Sequence, residues 1–179
     1  MGTRTHILKL LADGDFHSGT DIGQRLGISR AAVWKGIKTL CALGLDIHRV
    51  SGRGYKLAVP VTPLDADALQ AVLAEQGARL PGTVTLLEEV DSTNRYLLKQ
   101  AATLPSGSAC FAEVQRQGRG RRGRSWHASP YRNLTLSFAW RFDAGPSLVA
   151  GLSLAAGLAV LRALADYGVP DLGLKWPND

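Results

Sequence analysis

The 179-residue sequence predicts an α+β fold in two parts, a winged helix-turn-helix over residues 1–60 and a mixed α/β domain over residues 64–179. Three observations predict it. Helical apolar repeats punctuated by glycine run directly into a glycine-tipped pair of short strand patterns. Pro60, Thr62 and Pro63 then break all periodicity, as a domain boundary does. Beyond them, strand-like runs frame the stretch Gly118–Trp126, which holds four arginines, three glycines and no acidic residue.

Taken in order, Ile7, Leu8, Leu10 and Leu11 recur at helical intervals, and Asp13-Gly14-Asp15 ends that segment. Ser18 can cap a second helix carrying Ile22 and Leu26, with Gly27 as its left-handed stop. Ser29 can cap a third, from about Arg30 to Leu43, whose Val33, Ile37 and Leu40 share one face. Arg30, Trp34, Lys35 and Lys38 fall away from that stripe. Two short helices around a glycine turn, the second with a cationic outer face, fit a module whose recognition helix enters the DNA major groove. A three-helix packing unit with a solvated basic face fits the same residues. Leu45–Val50 and Tyr55–Leu57 read as strands around Ser51-Gly52-Arg53-Gly54, a wing with an arginine at its tip. The candidate DNA contacts are therefore Ser29, Arg30, Trp34, Lys35, Lys38 and Arg53. The net charge of +6 and pI near 9.7 agree with a polyanionic partner, whether DNA or nucleotide phosphate.

The second part opens with a helix over Asp65–Glu75 that Gly77 ends. A strand from Val84 leads through Glu88-Glu89-Val90 to Asp91-Ser92-Thr93-Asn94, which starts a helix through Tyr96, Leu97 and Leu98. Three capping side chains stand where one suffices, so the spare hydroxyl and amide groups can face a polar ligand; a redundant cap is the plain alternative. Ser108–Val114 reads as a buried strand and Asn133–Trp140 as an alternating one. The arginine-glycine stretch joins them as an anion-binding loop, since glycine lets the backbone approach a ligand and guanidinium forks match phosphate and carboxylate oxygens. A solvated basic loop is the alternative. Leu148–Tyr167 is apolar on nearly every side and is expected to be a buried helix against the sheet. Leu172–Trp176 follows as a further strand, and its ending in Pro177-Asn178-Asp179 leads us to expect a fragment of a longer protein.

Cys41 and Cys110 are far apart, and His6, His17, His48 and His127 are isolated, so no spacing predicts a protein-built metal site. A reduced cytoplasmic protein is the simplest reading. Arg4, His6 and Lys9 sit in the first segment, unlike a signal peptide, and Ala144–Leu161 is broken by glycine and proline where a membrane span needs about 20 apolar residues.

Asp91-Ser92-Thr93-Asn94, then Gln115 with Gly118–Arg124 and Trp126, then Lys175-Trp176-Pro177-Asn178-Asp179, all behind a winged helix-turn-helix, resemble the bacterial bifunctional biotin protein ligases that also repress the biotin operon. The resemblance runs from about Phe16 to Asp179. It implies that residues 64–179 are the incomplete first portion of a class II synthetase-like mixed α/β catalytic domain. It places Ser92, Thr93, Asn94, Gln115, Arg119, Gly120 and Arg121 around biotin. Arg121, Arg124, Trp126, Asn178 and Asp179 fall at the nucleotide, and Arg119, Arg121 and Lys175 become the catalytic cations.

The implied reaction uses ATP and Mg²⁺ to convert biotin to biotinoyl-5′-AMP, then passes biotin to a lysine of the biotin carboxyl carrier protein of acetyl-CoA carboxylase. The other implied partners are operator DNA and a second copy of the chain, in a homodimer favoured by biotinoyl-AMP; no membrane partner is implied. In such proteins another catalytic lysine, further strands and a small β-barrel follow the position of Asp179. The 179-residue chain is therefore expected to fold its N-terminal domain independently and to have weak or no complete ligase activity. A DNA-binding sensor that holds biotin without turnover remains open. So does a lipoate-type ligase, against which the wing and the arginine loop argue.

Overall fold

The computed structural model of the protein describes residues 2–143, 149 and 151–175, with Arg121 described by its backbone alone. Two compact units are present, Met1–Trp140 and Arg141–Asp179.

The first unit begins with three helices, α1 (Thr3–Leu11), α2 (Gly19–Leu26) and α3 (Arg30–Ala42). Local chemistry sets their ends. Ser18 Oγ accepts from the Asp21 amide, Gly27 takes φ +64° to stop α2, and Ser29 Oγ accepts from the Ala32 amide to start α3. Ile7, Leu8, Leu11, Ile22, Val33 and Leu40, each 0% exposed, meet in one core. Strands β1 (Ile47–Val50) and β2 (Gly54–Leu57) form the antiparallel wing, with Ile47 opposite Leu57 and Val50 opposite Gly54. The wing is tied down where His17 and Tyr55 exchange backbone hydrogen bonds of 2.9 and 2.8 Å. Gly54 has φ +105° and a Cβ there would strike the His17 carbonyl, so the wing's approach requires glycine.

Next come α4 (Ala66–Glu75), capped by Asp65, and a three-stranded sheet of β3 (Val84–Val90), β4 (Ser108–Gln115) and β7 (Thr135–Ala139), with a short hairpin of β5 (Gly118–Arg119) and β6 (Ser125–Trp126) between β4 and β7. Central β4 is buried from Ser108 to Val114, pairs parallel with β3 and antiparallel with β7. The crossover from β3 to β4 carries α5 (Thr93–Lys99), which packs on β4 and β7. Within this unit the amino end of α1 is bound to β3. Arg4 Nε lies 2.6 Å from Glu88 Oε1, Arg4 Nη1 3.0 Å from Glu89 Oε2, and the Gly2 amide donates to Glu88 Oε2 at 2.9 Å. Lys9 pairs with Asp65 at 2.6 Å, and the Leu64 amide donates to the Glu113 carboxylate.

The second unit contains α6 (Leu152–Asp166), followed by a turn. Two expectations are corrected here. The helix is not buried: none of its residues is, and Leu152, Leu154, Leu158, Val160 and Leu164 are all exposed. Along one side Ala156, Gly157, Val160, Leu161 and Leu164 face Leu172, Gly173 and Leu174 across a shallow apolar groove, and much of the helix's apolar surface stays exposed. Leu172–Lys175 is not a strand either: it is irregular and belongs to none of the described sheets. Leu148, Trp176 and Pro177 lie outside the described residues. Among the described residues no helix is long and apolar enough to cross a membrane.

Candidate functional site

Strands β3 and β4 end side by side, with Val90 opposite Gln115, and the chain leaving β3 turns at once into α5. That turn separates the three polar residues. Ser92 Oγ caps the helix by accepting from the Arg95 amide at 3.4 Å, Thr93 turns into the sheet and is 2% exposed, and Asn94 faces outward. The Thr93 amide donates to Gln115 Oε1 at 3.0 Å, and its hydroxyl lies 3.3 Å from the same oxygen and 2.8 Å from Ser137 Oγ. Redundant capping is therefore the wrong reading for Thr93, whose hydroxyl is spent on the strand ends.

These groups line an open cavity of about 380 Å³ together with Asn94, Arg119 and Trp126. The arginine stretch forms its rim as an ordered hairpin, with Gly118 opposite Trp126 and Arg119 opposite Ser125. The Gly120 amide donates to the Arg124 carbonyl at 2.7 Å, and the tip turns through Arg122 (φ 58°) and Gly123 (φ 75°). A Cβ on Gly118 would strike the Trp126 carbonyl, which is why the strands can close there. Arg119 and Trp126 reach the cavity, whereas Arg122 and Arg124 are exposed and do not line it. Gly120 lies in the hairpin next to Arg119. Lys175 belongs to the other unit and is exposed; Asn178, Asp179 and the Arg121 side chain lie outside the described residues.

Sequence reasoning missed the β7 side of this cavity, including Asn133, Thr135 and Ser137. A serine in an alternating strand carries no mark that separates it from an ordinary strand serine. Burial pushes the Cys110 thiol up to about 11, so the one cysteine in this sheet is held as an inert thiol at neutral pH. Among the described residues, no three His, Cys, Asp or Glu side chains converge as metal ligands.

Residues 86–179 match the biotin/lipoate A/B protein ligase family, a span that contains the Ser92-Thr93-Asn94 turn, Gln115 and the whole arginine hairpin. The chain belongs to the biotin/lipoate A/B protein ligase family. Ahead of the ligase-family region, residues 3–56 match an HTH domain, which is the helical core and wing. The chain is 46% identical over 173 residues to the bifunctional ligase/repressor BirA of Salmonella typhimurium, covering 97% of this chain and 52% of that protein. It is 44% identical over the same length to BirA of Escherichia coli, with the same shares covered. A biotin–[acetyl-CoA-carboxylase] ligase of Mycobacterium tuberculosis is 41% identical over 123 residues, 65% of this chain and 46% of that protein. The chain thus spans about half the length of the curated relatives it matches.

In this ligase-family chain the HTH region presents Arg30, Trp34, Lys35 and Lys38 on the exposed side of α3, with Lys38 Nζ 5.3 Å from the Trp34 ring centre. At the wing, Arg53 stacks 4.2 Å over Phe16 and Lys56 lies 5.6 Å from the same ring. Phe16 and Lys56 are additions to the sequence-based set, since an aromatic that props two cations is visible only once the wing is folded back. Ser29 has a second role: its Oγ accepts from the Ala32 amide as the cap of α3, which leaves its O–H as a donor.

Proposed function

We propose that this chain carries the DNA-binding head, residues 1–60, and the biotin- and nucleotide-binding part, residues 64–179, of a biotin protein ligase that also represses biotin-synthesis genes. The observation that supports it is the shared cavity: the Ser92-Thr93-Asn94 turn, Gln115 and Arg119 of the arginine hairpin line one polar space. A cyclic urea suits hydroxyl and amide walls, and Arg119 at the rim suits the carboxylate end of the same molecule.

The chemistry follows from charge. An oxygen of the biotin carboxylate attacks the α-phosphorus of ATP, the bond to the bridging oxygen breaks, and pyrophosphate leaves with its electron pair. Two anions must be brought together, so Arg119, with Arg121 and Lys175, is assigned to offset their repulsion and the charge that grows on the phosphoryl oxygens. Gly120 lets the backbone close over the adenylate, and Arg124, Trp126, Asn178 and Asp179 are assigned to the nucleotide. A deprotonated lysine amine of the biotin carboxyl carrier protein then attacks the acyl carbon, and AMP leaves. No enzyme nucleophile is needed, because the mixed anhydride is already activated. Mg²⁺ is placed as the counter-ion that arrives with the ATP phosphates, and no step is derived from a protein-held ion.

On the head, Ser29, Arg30, Trp34, Lys35, Lys38 and Arg53 are assigned to operator DNA, with a homodimer favoured by biotinoyl-AMP supplying two recognition helices. The reading is tested by incubating the product of the complete reading frame with biotin, ATP and Mg²⁺. Biotinoyl-AMP detected by mass is the expected result, and a folded protein that releases no pyrophosphate with biotin would overturn the enzymatic part. Arg30→Ala and Lys38→Ala are expected to weaken operator binding and to lower its salt dependence by about one unit of slope each.

A further inference from the structure

The hydrogen-bond directions behind the cavity wall can be fixed from one group that has no choice. The Thr93 backbone nitrogen only donates, so its partner 3.0 Å away on Gln115 must be the amide oxygen, Oε1. The Thr93 hydroxyl, 3.3 Å from that same oxygen, must then donate to it as well. Its only remaining role toward Ser137 Oγ, 2.8 Å away, is as acceptor, which makes Ser137 the donor. The chain of donors therefore runs from Ser137 to Thr93 to Gln115. Thr93, the middle link, is buried, while Ser137 and Gln115 at either end are half-buried. With Oε1 holding two donors, Gln115 Nε2 is left on the other side of the amide, where it lies beside Gly118 at the root of the arginine hairpin.

Resting on the biotin reading of this cavity, the geometry points to Ser137 as a positioning residue: acting through Thr93, it locks the Gln115 amide with its nitrogen toward the hairpin, so that this corner selects a hydrogen-bond acceptor, the ureido oxygen of biotin. Rotating the amide by half a turn would set Nε2 against the Thr93 amide, donor against donor, and Ser137 adds the second hydrogen bond that opposes this. Ser137 itself need not touch the ligand.

The test compares biotin with 2-iminobiotin, in which the ureido oxygen becomes a nitrogen that only donates, since the cyclic guanidine is protonated at neutral pH, using the product of the complete reading frame. Wild type is expected to prefer biotin. Ser137→Ala is expected to raise the KM for biotin about five- to tenfold at nearly constant kcat, the scale of one neutral hydrogen bond, and to narrow the preference over 2-iminobiotin. Ser137→Thr, which keeps the hydroxyl, should restore both. Should Ser137→Ala not fold, Gln115→Glu supplies the second arm, since it puts an oxygen where Nε2 stood and should shift preference toward 2-iminobiotin. Biotin binding with an unchanged KM and ligand ratio in Ser137→Ala, or an unshifted ratio in Gln115→Glu, overturns the positioning role alone. A folded wild type that binds no biotin overturns this inference and the functional reading beneath it.

Discussion

The helical head and helix α6 are both written in apolar residues, yet they end in opposite states. In the head, Ile7, Leu8, Leu11, Ile22, Val33 and Leu40 fall on facing stripes of three helices and are fully buried. In α6, apolar residues run around the whole helix and none is buried. The lesson is that a narrow stripe specifies both a helix and its packing direction, whereas all-round hydrophobicity specifies a helix alone. Periodicity states what a helix is able to bury, and a partner surface decides whether it does.

The largest effect that can break this comparison comes from truncating one leucine on each side. Leu40→Ala should destabilise the head by about 2–5 kcal/mol, because Leu40 is fully buried and its truncation leaves a gap in the core. Leu158→Ala in the 179-residue chain should change stability by less than about 0.5 kcal/mol, as surface substitutions do. Urea unfolding followed by circular dichroism reads both. Equal losses would mean that α6 is packed as tightly as the head.

The same contrast explains how much was legible before any coordinates. Ser18, Gly27, Ser29 and Gly54 could be read because caps, stops and turns are decided within a few residues. The arginine stretch could be read as a connection between two strands, with its composition leaving a solvated basic loop open; the turn stood out by its surplus of capping groups, and Gln115 joined it through resemblance. The Thr93–Ser137 contact links positions 44 apart, and Arg4–Glu88 positions 84 apart, so no local pattern encodes either. Burial of α6 and a strand at Leu172 were misjudged for the same reason, since both require a neighbour that local sequence does not supply.

Between those extremes lies the junction of α1 with the sheet, where packing is polar. Arg4 bonds both Glu88 and Glu89, and its side chain is only 16% exposed. Arg4→Ala should cost about 2 kcal/mol, the scale of hydrogen bonds to charged groups, and should leave the helical core of the head intact. Ser29→Ala, which removes only the cap of α3, should cost about 1 kcal/mol. Both can be read as shifts in the urea midpoint. If Arg4→Ala proves no worse than the cap, the head is held to the sheet by something other than this network.

The smallest effect has a sign that distinguishes two carboxylates of that junction. Burial pushes Glu113 above the usual carboxylate range, with Glu88 adding repulsion and the Leu64 amide pulling the other way. The Arg116 guanidinium, 2.7 Å away, leads the groups that hold Glu89 below that range. A raised folded value means that the favourable contribution of Glu113 is present below its unfolded value of 4.5 and is lost as pH rises through the folded value. For Glu89 the contribution is present above 4.5 and is lost as pH falls through its lowered value. Glu113→Gln keeps an oxygen for the Leu64 amide and removes the ionisation, so it should gain stability relative to wild type as pH rises from about 4 to 8. Glu89→Gln should lose relative stability over the same rise. Urea midpoints across that range would read both slopes, and parallel profiles for the two variants would show that the buried carboxyl of Glu113 is solvated as freely as the ion-paired one.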